Sequence, residues 1–318
     1  MFALPDSWVW DFWFADDGEH YHLFFLYASR ALRDPDARHY RASIGHAVST
    51  DLTKWTRVED ALVRADAPAF DDLATWTGSV VRHPDGTWFL FYTGSTGAPD
   101  GKNVQRIGCA TSQDLLAWDR VPHNPVLAAD PRWYETLLAG VWHDEAFRDP
   151  WVFADPDGHG WHMLVTARAT SGEPFERGVV GHAVSADLRH WEPRPALTLP
   201  GPRGFGQLEV IQVEVVDGRP VLLFSCLAEH ASVDRRATGT TGGIWAAPAE
   251  SLLGPFDVAA AEAVTDDRFY SGRLIRRRSD DQWVLIAFHN RGEGGFVGTI
   301  SDPMPVAWDG KRLSVLVS

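Results

Sequence analysis

Lysine is nearly missing from this 318-residue chain: Lys54, Lys102 and Lys311 are all it has. Arginine carries the rest of the positive charge, and 29 Lys and Arg face 43 Asp and Glu, a net charge of −14. A chain so short of cations offers no basic face to a phosphate backbone or an anionic lipid surface, so neither nucleic acid nor membrane is an expected partner. The Arg276-Arg277-Arg278 run is answered by Asp280 and Asp281 and reads as a solvated hairpin. Cysteine is scarce too. Cys109 and Cys226 each sit in an apolar run. Buried free thiols are expected, with a disulfide between them as the alternative. No stretch reaches the ~18 apolar residues of a membrane span. Met1–Asp6 has neither the charged nor the apolar part of a secretory leader, so a cytoplasmic location is expected. There is no His-x-x-x-His, no Cys-x-x-Cys, no acidic calcium loop and no glycine-rich phosphate loop opening a helix. No metal and no cofactor are therefore expected. Helical periodicity is lacking as well.

What the chain has instead is a repeat. Ile44-Gly45-His46-Ala47-Val48-Ser49-Thr50-Asp51-Leu52-Thr53-Lys54-Trp55 returns as Ile107–Trp118 and again as Val180–Trp191. Each copy reads as a short strand, a Ser-x-Asp-Leu turn and an outward Trp. Weaker copies start at Gly243 and Gly295. An apolar, β-branched or aromatic run precedes each copy: His22–Tyr27, Trp88–Tyr92, Trp161–Val165, Val221–Ser225 and Trp283–Phe288. These runs are too short for buried helices and are bounded by turns. A further strand precedes each of them. Five units of four antiparallel strands predict an all-β, five-bladed β-propeller filling residues 1–318 as one domain. The blades should fall near 7–66, 75–123, 146–197, 206–260 and 267–318. The long connections, Ala28–Arg41 and Ala128–Glu145, are rich in Pro, Asp and Arg and should shape the mouth of a site.

Three acids start the first strand of their units: Asp11, Asp149 and Glu209. Each strand ends in a hairpin signal, Asp17-Gly18, Asp157-Gly158 or Asp217-Gly218. The offsets from acid to turn are even, which in regular strands keeps the three side chains on one face. The innermost strand of a propeller blade lines the central channel, so these carboxyls should converge. Three carboxyls without a metal motif suit acid–base and nucleophilic work on a glycosidic bond. At the same place the second unit has Trp76-Thr77-Gly78-Ser79 and the fifth has Tyr270-Ser271-Gly272-Arg273.

These segments resemble the five-bladed furanosidases of glycoside hydrolase families 32 and 68. Trp10-Asp11 is similar to the levansucrase nucleophile segment, Phe147-Arg148-Asp149-Pro150 to the Arg-Asp-Pro motif of both families, and Trp76-Thr77-Gly78-Ser79 to their Trp-Ser-Gly-Ser segment. Tyr92-Thr93-Gly94 matches family 32. The chain departs in carrying Val210 after Glu209, and it ends with the fifth blade, so no C-terminal β-sandwich is expected. The resemblance implies a retaining hydrolase acting on a terminal β-fructofuranosyl unit of a small oligosaccharide. Asp11 would be the nucleophile, Glu209 the acid/base and Asp149 the transition-state stabiliser. Trp10, Trp76, Thr77, Arg148 and Gln212 would bind substrate. Arg273 and His289 are further candidates. Glu209 is expected to be held protonated by burial and by nearby negative charge. Family 43 resembles the chain more distantly and implies the alternative, an inverting arabinofuranosidase or xylosidase. A non-catalytic sugar-binding propeller is the alternative of another class. Oligomeric state is left open.

Overall fold

The computed structural model describes residues 1–98, 100–139, 141–199, 201–310 and 312–316. Blade 1 runs outward through β1 (Ser7–Asp16), β2 (Tyr21–Ser29), β3 (Ser43–Ser49) and β4 (Thr56–Arg57). Blade 2 follows with β5 (Ala74–Arg82), β6 (Trp88–Gly97), β7 (Asn103–Ser112) and β8 (Asp119–Arg120). Blade 3 has β9 (Arg148–Ala154), β10 (Trp161–Arg168), β11 (Gly178–Ser185) and β12 (Glu192–Arg194). Blade 4 has β13 (Glu209–Val216), β14 (Arg219–Leu227), β15 (Gly242–Pro248) and β16 (Glu262–Ala263). In blade 5, β17 (Phe269–Arg276) and β18 (Trp283–Gly292) are followed by a third strand broken into β19 (Gly295–Ile300) and β20 (Met304–Asp309). Both pair with β18, and β21 (Arg312–Val315) lies outermost. The break falls at Asp302-Pro303, where a proline cannot donate to the ladder. All pairings are antiparallel, and the five-bladed expectation holds.

The Ser-x-Asp-Leu repeat has a local cause. Asp51, Asp114 and Asp187 each cap the backbone N–H groups two and three residues on, at 2.8–3.0 Å. The following leucines, Leu52, Leu115 and Leu188, take left-handed φ values of 63°, 66° and 64°. Burial of their side chains and the aspartate caps offset that strain. The tryptophans expected to point outward are half-buried. Trp118 meets Phe24 and Trp191 meets Phe91, each edge-on in the preceding blade, so they fill the wedge between blades. Cys109 and Cys226 are buried free thiols.

The ring closes between blades 5 and 1. Phe2 exchanges both backbone hydrogen bonds with Ile300 at 2.9 Å, and the terminal ammonium meets Asp302. Arg30 donates to the Val297 carbonyl at 3.0 Å, and Arg278 reaches the carbonyls of Gly18 and Glu19.

Candidate active site

Every inner strand breaks its register at the same height. The irregularities fall at Trp10/Phe12, Trp76/Gly78, opposite Leu164/Thr166, at Glu209/Gln212 and at Tyr270/Arg273. Each is a β-bulge, one extra residue on the inner strand, which bends the strand and re-aims its side chains. In blades 3, 4 and 5 the extra residue is left-handed: Asp149 at φ 57°, Val210 at 55° and Ser271 at 49°. Gly78 in blade 2 has no room for a side chain, since a Cβ there would lie 2.0 Å from the Phe91 carbonyl oxygen.

The bulge corrects the register drawn from even offsets. Asp11, Thr77, Asp149, Val210 and Ser271 are equivalent positions. Glu209 stands one residue earlier, level with Trp10, Trp76, Arg148 and Tyr270. The acids therefore come from two adjacent levels, and they still meet at one end of the axis. They line one cavity of about 780 Å³ together with Trp10, Trp76, Thr77 and Arg148. Gln212 is not among its walls. It is 1% exposed and bonds both backbone groups of Leu274 at 2.8 Å, tying blade 4 to blade 5. Gln212 is buried on the seam between blades 4 and 5, away from the cavity walls, so the expectation that it binds substrate is corrected. Gln212 also donates to Glu214, two residues on along the same face of the strand, at 3.2 Å. Arg273 and His289 do not line the cavity either. Arg273 is buried and donates to the carbonyls of Phe12, Val210 and Ile211.

Hydroxyls at one level of the middle strands fix the bulges. Thr93 accepts from the Asp149 N–H at 2.9 Å and donates to the Thr77 carbonyl at 3.1 Å, joining blades 2 and 3. The Thr166 hydroxyl lies 2.9 Å from the Asp149 carboxylate and 2.7 Å from the Leu208 carbonyl, its one proton shared between them, joining blades 3 and 4. Ser225 accepts from the Ser271 N–H at 2.9 Å, joining blades 4 and 5.

Each acid has its own environment. Asp11 accepts from Thr77 at 2.7 Å on Oδ2 and from Ser271 at 2.5 Å on Oδ1. Burial raises its pKa, and the two hydroxyls only partly oppose this. Asp149 is pushed up to about 6 by burial, against the pull of Arg148, whose Nε lies 3.4 Å away. Glu209 reverses the expectation that burial would hold it protonated. Burial does press it upward, but Arg148 at 2.5 Å, His230 and the Tyr270 hydroxyl outweigh that and hold it below its ordinary value. Gln207 donates a further bond at 2.8 Å. Glu209 is thus the carboxyl best satisfied as an anion in the empty site. The Trp76 indole N–H is spent on the His39 carbonyl at 2.7 Å, which fixes the ring at the cavity wall.

Sequence reading did not assign Tyr270, Ser271, Gln207, His230 or Arg38. The Tyr270-Ser271 pair stood at the right place in its repeat, so position was the signal that could have found it. Arg38 lies in the long Ala28–Arg41 connection, His143 and Asp144 in Ala128–Glu145, and both segments do reach the mouth of the cavity.

Comparison with known proteins gives the lineage. The sequence profile of the glycosyl hydrolases family 32 N-terminal domain matches residues 13–290. The chain belongs to glycosyl hydrolase family 32. This family 32 chain is 29% identical over 175 residues to beta-fructofuranosidase, insoluble isoenzyme 3, of Oryza sativa subsp. indica, a match covering 54% of this chain and 26% of that protein. It is 39% identical over 127 residues to fructan 1-exohydrolase of Hordeum vulgare, covering 38% and 19%. The matches thus span about a quarter or less of those relatives' length. Two solved structures share the fold. An inulosucrase from Halalkalicoccus jeotgali bound to kestose superposes with a TM-score of 0.79 at 23% identity, over 98% of this chain and 87% of that one. A GH32 beta-fructofuranosidase of Bombyx mori gives 0.74 at 20%, over 99% and 64%.

Proposed function

We propose that this family 32 chain is a retaining glycosidase that removes a terminal β-fructofuranosyl unit from a small oligosaccharide. The convergence of Asp11, Asp149 and Glu209 at one end of a single cavity carries the reading. The fructosyl chemistry named for the relatives supports the choice of sugar.

In the first step an Asp11 oxygen attacks the anomeric carbon, the glycosidic C–O bond breaks, and Glu209 gives its proton to the leaving oxygen. The Thr77 and Ser271 hydroxyls hold the Asp11 carboxylate in place and leave each oxygen a lone pair. Asp149, turned by its left-handed backbone and fixed by Thr166, accepts hydrogen bonds from sugar hydroxyls. In the second step the Glu209 carboxylate takes a proton from water, whose oxygen attacks the anomeric carbon as the bond to Asp11 breaks. Glu209 must collect a proton before the first step, because Arg148 and Tyr270 favour its anion in the empty site.

The test is a proton NMR time course with sucrose, kestose, a fructan and an arabino-oligosaccharide, run beside Asp11→Asn. Fructose release with retained configuration, slowed about 10³-fold or more in the variant, is expected. Inverted product would move Asp11 to a general-base role, and arabinose release from an arabino-oligosaccharide in place of fructose would replace the sugar.

A further inference from the structure

The connection between β2 and β3 ends in a 3₁₀ turn, Asp36–Arg41, that leans over the nucleophile's side of the cavity. Arg38 points inward from it and is only 8% exposed. Its guanidinium lies 3.9 Å from the centre of the Phe296 ring and 5.4 Å from that of Trp10. Nη1 is used locally, on the Pro35 carbonyl at 2.7 Å and on Asp36 at 3.5 Å. Nε is buried without an acceptor, and Nη2 has none among the described residues. Buried N–H groups of a cation are rarely left unmet, because their desolvation is not recovered.

Arg38 and Asp11 attract each other, yet no ion pair joins them: the carboxylate Arg38 contacts is the exposed Asp36. Burial draws the guanidinium below its ordinary pKa while Asp11 pulls the other way, and both residues line the same cavity. Phe296 on blade 5 and Trp10 on blade 1 flank the guanidinium. A direct bidentate pair would occupy the Asp11 oxygens and quench their attack. Arg148 is already committed to Glu209, Gln207, Gln105 and Asp149. Arg273 also feels the acids and has a donor unmet, but it is not a wall of the cavity. Among the described residues Arg38 is therefore the buried arginine of the cavity wall with donors to spare.

We propose that Arg38 contacts the substrate: its Nε and Nη2 donate to oxygens of the glycosyl unit, and the sugar fills the gap between the guanidinium and Asp11. The inference rests on the glycosidase reading above. It makes Arg38 a specificity residue for the unit being transferred, distinct from the leaving-group side where His230 adjoins Glu209. A planar fork can serve two adjacent oxygens together, which an ammonium cannot.

The experiment measures kcat and KM on sucrose and kestose, and inhibition by free fructose, for the wild type, Arg38→Lys and Arg38→Ala. Thermal melts show that each variant is folded. Removing a charged donor pair should cut kcat/KM about 100-fold in Arg38→Ala, mainly through KM, with fructose inhibition weakened in step. Arg38→Lys should recover little of this. Guanidinium ion at low millimolar concentration should restore part of the Arg38→Ala activity, which a merely structural role would not allow. If Arg38→Ala does not fold, Arg38→Lys decides. An Arg38→Lys enzyme with wild-type KM and fructose inhibition, or a folded Arg38→Ala within about threefold of wild type, overturns the proposal and leaves the glycosidase reading standing. A wild type that neither turns over nor binds any fructosyl sugar overturns both.

Discussion

Glu209 accepts from Arg148, Gln207 and Tyr270 at once, while Asp11 accepts only from two neutral hydroxyls. In the proposed roles, the acid/base is thus biased toward its anion and the nucleophile toward its neutral form. The sign of the pH dependence follows. The reacting state needs Asp11 ionised and Glu209 protonated. Because the Asp11 pKa is raised and the Glu209 pKa lowered, that state is a minority form whose share falls away at both lower and higher pH. A kcat/KM profile with its optimum on the acid side of neutrality is expected. An optimum well above neutrality would contradict this account. Tyr270→Phe removes one donor to the Glu209 carboxylate, so the limb set by Glu209 should move to higher pH. The same change should lower kcat about 10- to 100-fold, because the carboxyl is less well held. A profile that stays in place would show that Arg148 alone sets the proton affinity of Glu209.

The strands of blades 1 and 3 carry matching chains of hydrogen bonds. Asp17 meets His22 Nε2 at 3.1 Å, and His22 Nδ1 meets His46 Nε2 at 2.9 Å. Asp155 meets His162 Nε2 at 2.8 Å, and His162 Nδ1 meets His182 Nε2 at 2.9 Å. With each Asp accepting from the first ring, the second ring donates and is left neutral. His46 Nδ1 is buried with no partner, so a proton there would create an unanswered cation. Burial accordingly depresses His46 to about 3 and His182 to about 4. A depressed folded-state pKa gives stability that is whole above the unfolded value near 6.5 and is lost as pH falls below it. Each pair should cost on the order of 3 kcal/mol by pH 4. Urea midpoints measured from pH 7 to pH 4.5 should fall, and the fall should shrink in His46→Gln and His182→Gln. A profile as steep in the variants as in the wild type would place the acid sensitivity elsewhere. The repeat that carries His46 and His182 was plain in the sequence, but their partners were not, because the pairs form across neighbouring strands.

Blades 5 and 1 close the ring through a shared hydrophobic core and a set of hydrogen bonds, and Phe2 takes part in both. Phe2 is 7% exposed, bridges to Ile300 and meets Phe25 edge-on with ring centres 4.9 Å apart. It joins the first residues of the chain to the fifth blade, so its loss should be felt by the whole propeller. Phe2→Ala should destabilise the fold by about 3 kcal/mol, read as a lower urea midpoint. Activity at low temperature should change little, since Phe2 is not a wall of the cavity. A midpoint unchanged within error would mean that the Arg30 and Arg278 contacts close the ring without it.

Length, repeat and turn chemistry were enough to give five blades, because a period-2 strand and a capped Ser-x-Asp-Leu turn are local events written in a dozen residues. Position within the repeat was enough to bring Asp11, Asp149 and Glu209 to one end of the axis. The level at which each acid stands was not legible. The inner strands are apolar on both faces, so an extra residue in them leaves no readable mark, and the bulge set Glu209 one level away from Asp11 and Asp149. The charge on Glu209 was not legible either, since Arg148 and Tyr270 reach it from neighbouring blades. Arg38 comes from a loop whose path only packing against Trp10 and Phe296 decides. Local hydrogen bonding wrote the fold into the sequence, and contacts between blades wrote the chemistry into the tertiary structure.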